Sequence, residues 1–221
     1  DISVERARQY LNLPQEAFIV TSFGKFRNRE ERRMVTGAFR KWDEAKKFLL
    51  APRLYPFSRF NRYGSNFFKR WTSRAGYYLL IPLLNRLRRM HAGASDKVVI
   101  GPNIGNIDNC DLPYYMAASD VIFIQRKDIL NSASIPLAFL FHKVVIGPNI
   151  GNIGEILQDT GNPVFHPDNQ FDIIRALEAA RQLSARRKGE DNYAYAIENM
   201  NSGKIGKEYA ELYRNLANLS L

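Results

Sequence analysis

Apolar and polar residues follow two different periods along this chain. Short runs rich in β-branched and aromatic residues are separated by longer stretches in which apolar residues recur every three or four positions. The short runs are typical of strands in a parallel sheet, and the longer stretches are typical of amphipathic helices. Their alternation predicts an α/β protein.

The individual strands and helices follow from this pattern. It predicts six strands, at residues 18–23, 47–50, 98–100, 121–124, 144–146 and 163–165. It predicts connecting helices at residues 29–41, 112–118, 135–141, 154–157 and 170–183. Because each strand leads through a turn into a helix, the carboxyl ends of the strands meet at one edge of the sheet, where such folds bind ligands. We therefore expect a Rossmann-like, doubly wound parallel sheet with helices on both faces.

Length and composition favour one large domain. A chain of 221 residues with 45% hydrophobic residues can bury a substantial core. We predict a domain over residues 1–185, interrupted by a basic aromatic insertion at 53–95, and a C-terminal helical extension over 186–221. The sequence starts at Asp1 without a methionine or a signal peptide, which favours a piece of a longer protein.

One sequence of eleven residues occurs twice. KVVIGPNIGNI fills positions 97–107 and again 143–153, whereas the residues around the two copies differ. A solenoid needs several similar units at a steady period, so this repeat does not indicate one. We assign no ligand to the first copy.

The charge of the chain favours an anionic partner. The formal net charge is +10, and nucleic acid, a membrane surface and a phosphorylated substrate are all compatible with it. The excess is concentrated in residues 51–95, which contain no Asp or Glu. The cations of this segment are Arg53, Arg59, Arg62, Lys69, Arg70, Arg74, Arg86, Arg88 and Arg89.

Two interpretations of this basic segment stay open. Its interleaved cations and aromatic residues over 53–90 favour a module that associates with an anionic membrane surface. Alternatively, the segment packs its aromatic side chains on the domain and leaves its cations in water. It matches no nucleic-acid motif, so no specific nucleic-acid partner is expected. With no apolar run of about 20 residues to cross a bilayer, we expect a cytoplasmic protein that is either free or peripheral on the inner membrane face.

The first candidate site follows the first predicted strand. The sequence TSFGKFR at 21–27 ends a strand and leads directly into a helix. Gly24 permits a sharp turn and close approach to a ligand, and the planar guanidinium of Arg27 can bind a phosphate. The alternative is an ordinary solvated basic loop.

Two further candidates lie at helix starts. Asn131, Ser132 and Ser134 begin a predicted helix, where free N–H groups and the helix dipole favour an anion, although the same residues also serve as ordinary caps. Gly151 lies in a predicted loop that a ligand can approach closely, and Glu155 can accept hydrogen bonds from sugar or ribose hydroxyls. Alternatively, Glu155 is a carboxylate favoured in the first turn of a helix.

The order of these segments resembles family 4 of the glycosyltransferases, the group 1 enzymes of the GT-B fold. It reads strand-Gly-x-x-Arg at 24–27, DLPYYMAASD at 111–120, ILNSAS at 129–134 and GNIGE at 151–155. The resemblance runs from about residue 4 to 183 and is best over 111–168. It implies that the chain is the C-terminal, donor-binding half of a bacterial GT-B enzyme.

In function, the resemblance implies a hexosyltransferase of polysaccharide biosynthesis. Such an enzyme binds a UDP- or GDP-linked sugar and transfers the sugar, with retention, to a saccharide or lipid-linked acceptor. The implied donor-binding residues are Gly24, Arg27, Asn131, Ser132, Ala133, Ser134, Gly151 and Glu155. No metal or other cofactor is implied, in agreement with the absence of an Asp-x-Asp pair. The catalytic residues are expected in an N-terminal half that this chain does not contain, so the fragment alone is expected to be inactive.

Two positions depart from the family's pattern. Glu30 stands where the family has a lysine, with Arg29 or Arg32 as candidates to supply the missing charge. Ala133 stands where the family has a glycine. A Cβ atom is unfavourable where the backbone needs a positive φ or where a phosphate approaches closely. Ala133 is therefore a reason to expect weaker binding of the diphosphate.

Overall fold

The computed structural model describes residues 2–54 and 107–219, which form an α/β sandwich. The strands in these ranges are β1 (Phe18–Thr21), β2 (Lys47–Leu50), β3 (Val121–Phe123), β4 (Val144–Pro148) and β5 (Val164–Phe165). The helices are α1 (Val4–Tyr10), α2 (Arg29–Lys41), α3 (Leu112–Ala118), α4 (Ser134–Leu140), α5 (Gly151–Asp159), α6 (Gln170–Ala185), α7 (Lys188–Asn199) and α8 (Ser202–Leu219). The predicted strand at 98–100 and most of the basic insertion lie outside the described residues.

All described strands pair in parallel, in the order β2-β1-β3-β4-β5. The register pairs Val20 with Leu49 on one side and with Val121 on the other. From β1 the chain moves outward to β2, whereas β3, β4 and β5 follow one another in the opposite direction. The direction of winding therefore reverses between β1 and β3, and this reversal creates a crevice at the carboxyl ends of these two strands.

Helices cover both faces of the sheet, as the sequence predicts. Val20, Val121 and Phe123 lie in one buried cluster with residues of α2 and α6. On the opposite face, Ile122 and Val145 pack with residues of α3, α4, α5 and α7. Successive strand residues point to opposite faces, and both faces are buried, which explains the continuous apolar runs. The doubly wound fold is confirmed.

Helix α2 shows how local sequence determines an element beside the crevice. Its N-cap residue, Asn28, has extended backbone, and its side-chain oxygen accepts a hydrogen bond of 2.8 Å from the amide of Glu31. Carboxylates occupy the first turn and cations the last, which complements the helix dipole. Val35, Ala38 and Phe39 form the buried stripe. These signals are all local, and the helix begins and ends where it was predicted.

Helix α5 is longer than the sequence pattern predicts. It spans Gly151–Asp159 rather than 154–157, so Gly151 is its first residue and not part of a longer loop. Gly151 has a φ of +52°, a conformation that glycine adopts without strain. This backbone turn joins β4 to α5 within two residues and sets Ile153 and Leu157 into the core.

The last two helices differ in their surroundings. Helix α7 packs against α4 and contributes Ala196 to the core. Helix α8 is exposed at all its residues from 202 to 217, including Tyr209, Leu212 and Tyr213. Within the described part of the chain, no helix is long and apolar enough to cross a membrane.

Candidate functional site

Two loops meet in the crevice between β1 and β3. The residues after β1 lie against those after β3, and the first link is a hydrogen bond of 2.8 Å from Ser22 Oγ to Gln125 Oε1. Both side chains are buried. Gln125 was not predicted as a site residue, because a lone glutamine at a strand end carries no signal in the sequence.

Gly24 packs closely on the side chain of Gln125. A Cβ atom on Gly24 would lie 2.1 Å from Gln125 Nε2, far inside van der Waals contact. Gly24 does not have a positive φ. Among the described residues, the glycines with a positive φ are Gly151 and Gly161. The close contact of Gly24 in this structure is therefore with a neighbouring side chain, and its contact with a ligand stays a prediction.

Arg27 is held at the crevice by its backbone and its side chain. Its amide donates a hydrogen bond of 2.7 Å to Glu31 Oε2, and its Nη1 donates one of 3.2 Å to the carbonyl of Asp128 in the opposite loop. The residue itself is exposed. Arg27 therefore combines a fixed position with access to solvent, as a residue that binds an anion requires.

A second arginine reaches the same carboxylate. Arg126 Nη1 lies 3.3 Å from Glu31 Oε2, and the two side chains are only 15% and 3% exposed. Burial lowers the pKa of Arg126, Glu31 raises it, and the nearby charges of Arg27 and Arg53 lower it again. Arg27 and Arg53, which follow β1 and β2, thus both lie within electrostatic range of Arg126, which follows β3. One buried carboxylate, Glu31, offsets part of their charge.

Lys127, after β3, connects this cluster to the loop after β5. Its Nζ lies 3.4 Å from Glu30 Oε2 and 2.6 Å from Asp168 Oδ1, after β5. The hydrogen bond between Lys127 and Asp168 raises the pKa of Lys127 and lowers that of Asp168. Glu30, which replaces the family's lysine, is thus paired with a lysine from another strand end. A cation within electrostatic range of Arg27, Arg126, comes from the loop after β3.

The predicted anion site at the start of α4 has ordinary backbone geometry. Ala133 is the N-cap residue, with φ −63° and ψ −11°, so its Cβ causes no backbone strain. Ser132 Oγ accepts a hydrogen bond of 3.3 Å from the amide of Ser134. Asn131 and Ala133 are exposed. The positive φ for which a glycine is favoured is therefore not adopted at position 133.

The α4 and α5 starts are adjacent in the fold. Asn152 Nδ2 donates a hydrogen bond of 2.8 Å to Asn131 Oδ1. A Cβ atom on Gly151 would lie 3.2 Å from the carbonyl oxygen of Leu130. The structure therefore brings two of the three predicted segments into contact here, and Arg27 joins them through the Asp128 carbonyl. Glu155 lies on the exposed side of α5.

A cavity of about 420 Å³ opens on the β2 side of the crevice. The described residues that line it are Phe23, Arg53, Ile107, Asp108, Asn109 and Leu112. Its volume lies within the range of small-molecule sites. It combines an aromatic ring and an arginine from two strand ends with polar groups near the start of α3.

Several residues of this site were not among the predicted donor-binding ones: Ser22, Glu31, Arg53, Gln125, Arg126, Lys127 and Asp168. The available signal was positional, because all of them except Glu31 follow strand ends on the same edge as Arg27. In the sequence, Glu31 is an ordinary acidic residue in the first turn of a predicted helix, so it gave no signal of a site. Its burial and its two arginine contacts depend on tertiary packing.

No family model matches the sequence, and no curated protein matches it in sequence comparison. Solved structures match its fold. A sucrose-phosphate synthase of Thermosynechococcus elongatus matches with a TM-score of 0.64 and 19% identity, over 98% of this chain and 50% of the other. Anabaena Alr3699/HepE, solved in complex with UDP-glucose, matches with a TM-score of 0.65 and 15% identity, over 96% and 52%.

A shorter structure defines which half is matched. The C-terminal domain of the glycosyl transferase group 1 family protein LpcC of Francisella tularensis matches with a TM-score of 0.58 and 14% identity, over 91% of this chain and 100% of that domain. The chain spans about half the length of the two longer proteins. Its fold is that of the C-terminal half of GT-B group 1 glycosyltransferases, and the predicted structural resemblance is confirmed.

Proposed function

We propose that this chain is the donor-binding half of a retaining GT-B glycosyltransferase. It binds the diphosphate of a UDP- or GDP-linked sugar in the crevice between β1 and β3. The observation that carries this proposal is the group of three arginines, Arg27, Arg53 and Arg126, at the carboxyl ends of three neighbouring strands. Parallel α/β folds bind ligands at this edge, where the winding reverses.

The charges suit a diphosphate better than a neutral ligand. Guanidinium groups bind phosphate oxygens with two parallel hydrogen bonds. Arg27 is exposed and fixed at its backbone, so it meets an incoming anion with little loss of conformational freedom. The adjacent cavity lined by Phe23 and Arg53 has room for a nucleoside beside these cations.

The same groups have a role in the transfer step. When the glycosidic bond to the donor breaks, negative charge develops on the departing nucleoside diphosphate. Arginines already in place stabilise this charge without reorganisation of solvent. The start of α4, with Asn131, Ser132, Ala133 and Ser134, lies beside them and offers backbone N–H groups. Glu155, on the exposed side of α5, is assigned to the sugar or ribose hydroxyls.

Transfer itself requires a second half. The acceptor must meet the donor in a closed site, and the solved glycosyltransferases that this chain matches are about twice as long. We propose that the acceptor is a saccharide or a lipid-linked saccharide. The 221-residue chain is expected to bind the nucleotide and to transfer no sugar, and robust transfer by this chain alone would contradict the proposal.

Calorimetric titration with UDP, GDP and the corresponding nucleotide sugars tests the donor site. We expect saturable binding of one nucleotide, and a Kd roughly tenfold to a hundredfold higher for Arg27→Ala, because a hydrogen-bonded charge is lost. Arg214→Ala is the matched control. It removes the same charge from exposed helix α8, and its Kd should stay within about twofold of the parent value.

Two other outcomes of this titration would count against the proposed nucleotide-sugar site. An equal loss of affinity in both variants would mean that only net charge attracts the nucleotide. Absence of binding by the parent chain to all four ligands would contradict a donor site in this half.

A further inference from the structure

Gln125 holds an unused hydrogen-bond donor beneath the Gly24 loop of the crevice. The residue is 2% exposed, and its Nε2 atom has no hydrogen-bond partner among the described residues 2–54 and 107–219. Its other polar atom, Oε1, accepts from Ser22 Oγ at 2.8 Å. A buried polar atom without a partner is unfavourable, and such atoms are rare in native proteins. This one lies where the winding of the sheet reverses.

The neighbouring residues make room for this donor. Nε2 occupies the space in which the side chain of any residue other than glycine at position 24 would lie. Gly24 is itself partly exposed, and exposed Lys25 follows it. The donor is therefore buried beneath a backbone position that has no side chain. A small movement of the Gly24 loop or a turn of the Gln125 side chain brings Nε2 to the crevice.

We infer that Gln125 is a binding residue of the nucleotide-sugar site. Its Nε2 donates a hydrogen bond to a diphosphate oxygen of the bound nucleotide. The inference rests on the proposed function. Arg126 is the next residue, and Arg27 and Arg53 lie within electrostatic range of Arg126, so an anionic acceptor is favoured at this point. An amide that donates to a charged oxygen forms one of the stronger hydrogen bonds in proteins. Binding of the nucleotide thereby gives an acceptor to Nε2 of Gln125, which is unpaired in the free chain.

This role predicts separate effects on stability and on affinity. Gln125→Met retains the length of the side chain and removes the unpaired donor, but it also removes the acceptor of the Ser22 hydroxyl. We therefore expect a lower thermal midpoint of the free chain, similar to that of Ser22→Ala, whereas the Kd for the nucleotide, UDP or GDP, rises roughly tenfold only in the Gln125 variant. A glutamine that serves only packing would give a lower midpoint and an unchanged Kd.

Ser22→Ala is the matched control. It removes the other hydrogen bond of the same amide but leaves Nε2 in place. We expect a lower midpoint and a Kd within about twofold of the parent value. Gln125→Leu, which also lacks the donor, gives a second measurement if the methionine variant does not unfold cooperatively.

Calorimetry with UDP and GDP tests the role of Gln125 separately from the proposed function. If the parent chain binds a nucleotide and both Gln125 variants bind it equally well, the role of Gln125 is wrong and the proposed function stands. If Ser22→Ala loses as much affinity as the Gln125 variants do, the loss follows from the hydrogen bond that they share, Gln125 is a structural residue and the inference is overturned. If the parent chain binds neither nucleotide, the donor site itself is wrong, and the role of Gln125 with it.

Discussion

Glu31 joins the two loops of the crevice through one buried carboxylate. A single oxygen, Oε2, accepts hydrogen bonds from the amide of Arg27 and from the guanidinium of Arg126. A carboxylate with these partners is stable in a buried position, whereas removal of one partner leaves a buried charge uncompensated. Glu31 therefore positions two of the three arginines.

Replacement of this carboxylate tests the arrangement at the scale of one residue. We expect Glu31→Gln to lower the free energy of unfolding by about 1–3 kcal/mol, because the amide cannot offset the charge of Arg126. Urea unfolding at pH 7 measures this value. The nucleotide Kd should also rise, since a neutral amide oxygen holds the backbone of Arg27 and the guanidinium of Arg126 less strongly than a carboxylate does.

Glu30→Gln provides the matched control for this prediction. The chemical change is the same one position earlier, but the side chain of Glu30 is 72% exposed and its pair with Lys127 lies at the surface. Exposed pairs contribute little, so the loss should be below about 0.5 kcal/mol. Equal losses in the two variants would show that burial of Glu31 does not set its importance.

At the scale of elements, helix α7 is attached to the end of α4 by a very close contact. A Cβ atom on Gly189 would lie 1.9 Å from the carbonyl oxygen of His142. His142 has a φ of +55° and stacks on Tyr193 of α7 at 4.2 Å between ring centroids. The backbone turn after α4 thus fits against the first turn of α7, which only glycine permits.

Two glycine substitutions in neighbouring helices test this contact. Gly189→Ala should lower the free energy of unfolding by about 2–3 kcal/mol, because the backbone of His142 cannot move without disturbing α4. Gly206→Ala, in α8, meets nothing within 4 Å and should raise the free energy by about 0.5–1 kcal/mol through better helix propensity. Urea unfolding curves compare the two variants. A similar change of the same sign in both would contradict the proposed packing of α7 on α4.

At the scale of the whole molecule, the positive charge raises the question of membrane association. The chain carries a net charge of +10, and residues 51–95 contain nine cations and no acidic residue. Most of this segment lies outside the described residues, so surface association remains a prediction from the sequence. It is compatible with the proposed function, because a lipid-linked acceptor would lie at such a surface.

Cosedimentation with vesicles tests this prediction. We expect binding to vesicles with anionic lipid but not to neutral ones, and loss of binding when Lys69, Arg70, Arg86, Arg88 and Arg89 are replaced by alanine. Each cation near an anionic surface contributes about 1 kcal/mol. The control replaces five exposed cations elsewhere, Arg6, Arg40, Lys204, Lys207 and Arg214. No binding at low salt, or equal loss in both sets, would rule out a specific role of the basic segment.

The sequence by itself determined the fold class and most element boundaries. Helices α2 and α3 begin and end at the predicted residues, because apolar spacing and the residues at their ends lie within one or two turns of the chain. The apolar runs of the strands predicted a sheet buried on both faces for the same local reason. Gly24, Arg27 and the start of α4 were predicted as site residues from local sequence as well, since a strand followed by a turn and a helix is a local pattern.

Only the tertiary structure decided which groups share the crevice. Glu31 and Arg126 are 95 positions apart, and Ser22 and Gln125 are 103 apart. Their contacts depend on strand order, and no local period in the sequence encodes that β3 lies beside β1. The helical backbone at Ala133 and the close contact of Gly24 with Gln125 likewise depend on the packed neighbours of these residues. The sequence thus determined the elements and the edge at which we propose a ligand site, whereas long-range packing determined which side chains meet there.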